Sequence, residues 1–252
     1  MASVPIYRFY AQLADYKPAI WRRFEVPKNI SMARLAYIMM TLFEMQASHL
    51  FSFDVPAREN FLLAMGEDVL EYPAIRKVAD ELKERHLALP SEDDEDDEDD
   101  EEKEDAAAVQ LGHILNTPLQ RLVFWYDFGD DWKVLLSLEK IYEDRDLPGR
   151  ELPRVLDGAG YGIIEDCGGP GGLAELARAT AKKKGPKYEE LREWYELDDI
   201  DLKNFDLDDM NFRLKKVPRI YRDIYEEDLE PTQRSMDILT RQYLKKKGWH
   251  PA

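Results

Sequence analysis

Hydrophobic positions in this chain follow two periods, and the element type changes wherever the period changes. Ile6 to Leu13 and Ile20 to Val26 alternate around a turn at Asp15-Tyr16-Lys17-Pro18, which predicts a hairpin of two strands. After Pro27 the spacing becomes i, i+3, i+4, i+7, i+8 at Leu35, Ile38, Met39, Leu42 and Phe43. That is an amphipathic helix with Ser31 as its N-cap and one buried stripe. Alternation returns at His49 to Val55, and Phe61 to Met65 reads as a further short strand. Pro73 then opens a second helix, carrying Ile75, Val78 and Leu82 and ending near His86.

The strongest alternation lies further on. Leu122, Phe124, Tyr126 and Phe128 share one face of a strand, the Asp127 to Asp131 segment turns the chain, and Trp132, Val134, Leu136 and Leu138 line a second strand. By the same alternation Trp21, Phe124, Tyr126 and Trp132 are expected to pack in one core. Val109 to Leu115 predicts a short helix before this hairpin. The glycine-dense stretch Leu156 to Gly172 is irregular backbone leading into a helix from about Gly171 to Lys184. Tyr188 to Glu196, Leu207 to Lys216 and a segment from about Pro231 to Gly248 complete the helices. The fold class is α+β, a mostly antiparallel sheet with helices packed on it and a helical C-terminal part.

Charge changes this picture in one place. Of the formal −17, thirteen acids and one lysine lie between Glu92 and Asp105, a net −12 that leaves −5 for the rest. A stretch of like charges without an apolar anchor does not offset the entropy of ordering, so residues 91–105 are expected to be a disordered acidic insertion. Residues 1–216 then form one domain and 217–252 a C-terminal helical extension. Opening on a strand pattern without a leader, and lacking any apolar run of membrane length, the chain is expected to be cytoplasmic, with no membrane contact. The single cysteine, Cys167, excludes an internal disulfide and makes a Cys/His zinc site improbable.

Five motifs in order resemble the plasmid ORF-three-like family, also labelled insertion-element passenger or TnpR-type proteins. They are Lys17 to Pro27; His49-Leu50 with Phe53; Tyr126 to Trp132; Glu165 to Gly169 with Gly172; and Phe205-Asp206 with Asn211. The resemblance spans about Tyr7 to Leu214 and implies an α+β domain without an assigned reaction. The chain departs from the family's pattern at Leu35-Ala36, Glu44-Met45 and Ile163-Ile164. A serine recombinase, which the TnpR label suggests, needs a nucleophilic serine among arginines, and no such segment occurs.

The polar residues support two classes of function. If the hairpin tip meets the glycine-rich turn, Asp127, Asp130, Asp131, Glu165 and Asp166 with His49 form a cluster suited to Mg²⁺, Mn²⁺ or Ca²⁺, as in a metal-dependent hydrolase or nuclease. Otherwise these carboxylates cap turns, and the protein is an interaction module whose sheet face or acidic loop engages a protein partner, a basic one in the case of the loop. The second class, with no enzyme activity and no certain cofactor, is the leading expectation. Direct nucleic-acid binding is not expected, because Arg22-Arg23, Lys182 to Lys184 and Lys245 to Lys247 are separate basic runs on an acidic chain.

Overall fold

A computed structural model describes residues 4–90, 103–181, 184, 186–194 and 201–245. Its frame is an eight-stranded sheet built from β1 (Ile6–Leu13), β2 (Trp21–Pro27), β3 (Phe51–Val55), β4 (Arg85–Ala88), β5 (Lys103–Asp105), β6 (Arg121–Tyr126), β7 (Trp132–Tyr142) and β8 (Arg154–Ala159). The strand order is β5-β4-β3-β6-β7-β1-β2-β8, antiparallel throughout except for the β4–β5 pair. The two hairpins read from alternation, β1–β2 and β6–β7, sit side by side at its centre. Around the sheet lie α1 (Met32–Leu42), α2 (Ala57–Met65), α3 (Pro73–Glu81), α4 (Leu111–Ile114), α5 (Gly169–Thr180), α6 (Pro186–Trp194), α7 (Leu207–Leu214), α8 (Val217–Tyr225) and α9 (Gln233–Leu239).

α1 is the helical centre of the core. Ser31 accepts the Arg34 amide at 3.1 Å and caps the helix start. Ten of its eleven residues are then buried, because the inner sheet face packs on one side while α7 and α8 pack on the other. Phe9, Phe24, Phe53, Phe124, Tyr126 and Trp132 point inward into this one apolar cluster. Val217 and Tyr221 of α8 belong to the same cluster, so the first turns of the predicted C-terminal extension are part of the core.

Trp21 does not join that core. The parity of β2 sends Arg22, Phe24 and Val26 inward, while Trp21 is half-buried on the opposite face and stacks on Tyr10. Arg22, part of a basic run in the sequence, is fully buried. Its guanidinium donates to the carbonyls of Leu42 (2.9 Å), Trp21 (2.9 Å), Ala159 (2.9 Å), Gly160 (2.8 Å) and Tyr161 (2.6 Å). Burial pulls its pKa down to about 10, still far enough above neutrality to keep the charge.

Three local expectations are corrected. Phe61 to Met65 lies in helix α2, not a strand; Asn60 on that helix exchanges two hydrogen bonds with the Arg121 backbone (2.8 and 2.6 Å) and pins the helix to β6. The second helix stops at Glu81, and Arg85–Ala88 instead forms β4, with Leu87 fully buried. Residues 103–105 of the acidic run, expected to be disordered, are ordered: Lys103–Asp105 forms β5, where Glu104 makes a two-pronged pair with Arg85 (2.5 and 2.6 Å). Residues 91–102 of that run lie outside the described residues, as do Lys182, Lys183 and the end of the last predicted helix. Among the described residues no helix is long and apolar enough to cross a membrane.

Candidate functional site

The site lies at one corner of the sheet, where three distant segments meet. The first is the loop after α1. It uses left-handed backbone at Glu44 and Ala47 to turn back toward β3, and Tyr221 on α8 holds it through a hydrogen bond to Met45 O at 3.1 Å. Tyr225 donates similarly to Ala47 O. The second is the β6–β7 turn, where Asp127 also takes a left-handed conformation (φ 57°) and its Oδ1 accepts the amides of Gly129 (3.0 Å) and Asp130 (3.3 Å). The third is the turn Glu165–Gly169 that leads into α5.

The second and third segments touch directly. Asp130 accepts the Gly168 amide at 3.2 Å. Gly169 has φ +66°, and a Cβ there would collide with Asp130 O, so the close approach requires glycine. Glu165 fastens the first segment to the other two. Its Oε1 accepts from Gln46 N (2.6 Å) and from the Tyr126 hydroxyl, and its Oε2 accepts from Ser48 Oγ (2.6 Å). Burial, reinforced by that carboxylate, pushes the Tyr126 phenol well above its ordinary pKa, so it stays a donor.

The six-member cluster expected from the sequence therefore divides. His49, Asp127 and Asp166 converge, with one ligand atom from each lying within 4.8 Å of the others. His49 Nε2 is 3.6 Å from Asp127 Oδ2 and 3.7 Å from Asp166 Oδ1. Glu165 is committed to the loop, Asp130 to the glycine turn, and Asp131 is an exposed turn residue whose amide bonds Asp127 O at 2.7 Å. Phe124, Tyr126 and Trp132 are fully buried. Tyr126 supports the His49 ring edge-on at 5.8 Å. Asp166 is solvent-facing, its side chain 78% exposed, and exposed Leu50 and Phe128 adjoin His49 and Asp127 in the chain.

Next to His49 opens an apolar pocket lined by Tyr37, Met40, Phe51, Leu89 and Tyr225. Sequence periodicity gives no hint of it, because α8 supplies one wall. The spacing of Val217, Tyr221 and Tyr225, with Pro218 in the first turn, is the signal that marks this helix. Cys167 is a poor nucleophile: burial first, and the Asp130 charge second, raise its thiol to about 12.

The two remaining motifs are structural. Asp206 caps α7 by accepting the amides of Asp208 (3.1 Å) and Asp209 (2.9 Å). Asn211 grips Val155 of β8 through both its backbone groups at 3.0 Å. Phe205 covers the buried Arg22 guanidinium at 4.1 Å, joining this motif to the first. The chain is similar to the uncharacterized protein y4hQ of Sinorhizobium fredii, 24% identical over 197 residues that cover 78% of this chain and 84% of the relative. It also shares its fold with the crystal structure of MM3350, a protein of unknown function from Methanosarcina mazei Go1, at a TM-score of 0.62 and 21% identity, covering 82% of this chain and 98% of the other. The model of the plasmid pRiA4b ORF-3-like proteins matches residues 5–212, most of the described fold and all three segments of the corner, and the chain belongs to that family.

Proposed function

We propose that the protein is a binding module whose working corner takes a divalent cation between His49 Nε2, Asp127 Oδ2 and Asp166 Oδ1. The observation that carries this reading is the convergence of three metal-compatible atoms from separate motifs within 4.8 Å. Separations of 3.6 and 3.7 Å are a few tenths of an ångström longer than the edge, about 3.4 Å, of a tetrahedron with ligands about 2.1 Å from the ion, so a small side-chain shift would close the site around a cation. Asp127 and Asp166 both hold left-handed backbone, a cost that persists where surrounding structure imposes it and that concentrates at functional sites. An imidazole beside two carboxylates favours Mn²⁺ over Mg²⁺ or Ca²⁺, which prefer oxygen alone.

Calorimetry with MnCl₂ tests the reading. The parent should bind one ion, His49→Ala and Asp166→Asn should each weaken binding about ten-fold or more, and Asp131→Asn should bind as the parent does. A parent that takes up no ion at millimolar concentration leaves His49 as an ordinary ion-pairing residue and ends the proposal.

A second reading, a metal-dependent hydrolase or nuclease, is supported by the exposure of Asp166. Three protein ligands leave coordination positions for water and substrate. The insertion-element passenger relationship and a basic protein partner for the acidic run belong to the same proposal and rest on motif resemblance and charge alone.

A further inference from the structure

The outer face of the sheet carries a second, independent feature. On β1 and β2 the rings of Tyr10 and Trp21 stack at 5.5 Å and 26°, with the Arg23 guanidinium 5.8 and 5.7 Å from their centroids. On β6 and β7, Lys133 lies 4.7 Å over Trp125. Toward the other end of the same face Lys140 and Arg8 lie over Tyr142 at 5.0 and 5.6 Å. These rings are half-exposed, whereas their strand neighbours Phe9, Phe124 and Trp132 are fully buried on the inner side. The two tryptophan platforms are three strand spacings apart, about 15 Å.

The charge of this face is opposite to that of the chain. Arg8, Arg23, Arg121 and Lys133 lie on it by alternation, and Lys140 and Arg154 by their pairing with Arg8 and Glu25 across a β-bulge in β7 and in β8. The strand carboxylates on this side are Asp54, Glu25, Glu139, at the bulge of β7, and Asp157, which pairs with Arg23. Glu25, fully buried, accepts from Arg8 (2.9 Å) and Arg154 (2.8 Å), so two cations share one acid. Glu139 is spent on Arg23 (2.8 and 2.9 Å), and Asp54 on Trp125 Nε1 (2.7 Å) and His86 (2.7 Å). Arg121 is paired with Glu59 of α2, so the six cations exceed the carboxylates they face by one, on a protein of net charge −17. The basic runs in the sequence do not foretell it, since these cations alternate with core residues.

We propose that this face binds single-stranded nucleic acid. Bases stack on the Trp21–Tyr10 and Trp125 platforms while Lys133, Lys140 and Arg8 meet phosphates, the combination of π-faces and cations by which flat sheets hold unpaired strands. An acidic peptide would satisfy the cations and leave the rings unused. A duplex hides the bases that the rings require.

The test is fluorescence anisotropy with a labelled twelve-nucleotide oligothymidylate at low salt, using the whole protein. Micromolar binding that weakens with added salt is expected, together with quenching of tryptophan emission. Trp21→Ala and Trp125→Ala should each weaken binding about ten-fold, and Lys133→Glu should do so without removing a ring. Circular dichroism of each variant should match the parent, because the changes lie outside the core. No binding by the parent at about 100 μM protein, equal affinity for a duplex of the same length, or aromatic variants that bind as well as the parent would each overturn the proposal.

Discussion

At the residue scale, the carboxylates of the corner are separated by what they accept, not by how acidic their neighbourhood looks. Glu165 receives three donors, two of them on the loop that carries His49. Glu165→Gln turns one accepting oxygen into an amide that faces donors, and we expect a loss of about 2 kcal/mol in urea unfolding. Asp131→Asn should change stability by less than about 0.5 kcal/mol. A second buried acid gives a pH dependence. Burial alone would raise the Glu44 carboxyl, but Arg241 (2.6 Å), Arg213 and Arg22 outweigh it and hold its pKa below the usual carboxylate value. A depressed folded-state pKa contributes stability above the unfolded value of 4.5, and that contribution is lost as pH falls through the folded value. Arg241→Ala removes the nearest cation from Glu44, whose side chain is 6% exposed, and from Asp209 (2.9 Å), and should cost about 3 kcal/mol at pH 7. The difference between variant and parent should shrink in acid, where Glu44 is protonated in both; a difference that stays constant down to pH about 3 would show that Glu44 is not the group involved.

At the scale of elements, alternation and helical spacing made the two central hairpins, α1, α5 and α7 legible, because one face of each is buried and its period survives in the residue pattern. Parity is harder to assign when the inward residue is charged. Arg22 faces the core of β2, so a reader who takes the larger ring as the buried one places Trp21 on the wrong side. The two tryptophans should separate cleanly: Trp132→Ala should cost about 3–5 kcal/mol in chemical denaturation, and Trp21→Ala about 1 kcal/mol or less. Equal losses would contradict the assigned faces. β4 and β5 escape notice because each is short and held by pairings that sequence does not display, His86 with Asp54 and Arg85 with Glu104. Half of the predicted acidic cluster was legible in the same sense. His49, Asp127 and Asp166 could be named from their motifs, but which carboxylates converge depends on left-handed turns and a glycine contact that only the folded chain displays.

At the scale of the whole molecule, the helix α8 and the loop after α1 make one unit of the corner and the core. Tyr221 and Tyr225 tie α8 to Met45 and Ala47, on the same loop that Glu165 holds. Removing residues 217–252 should therefore uncover α1, raise binding of an apolar dye and abolish cooperative melting, whereas a tail that merely extends a finished domain would come off without either effect. The central claim, that distant motifs come together to form a cation site, is tested most directly by a crystal of the protein soaked in MnCl₂ and measured near the manganese edge. The account predicts an anomalous peak about 2.2 Å from His49 Nε2, Asp127 Oδ2 and Asp166 Oδ1. Manganese bound only elsewhere, with the His49 ring hydrogen-bonded directly to an aspartate, would contradict it.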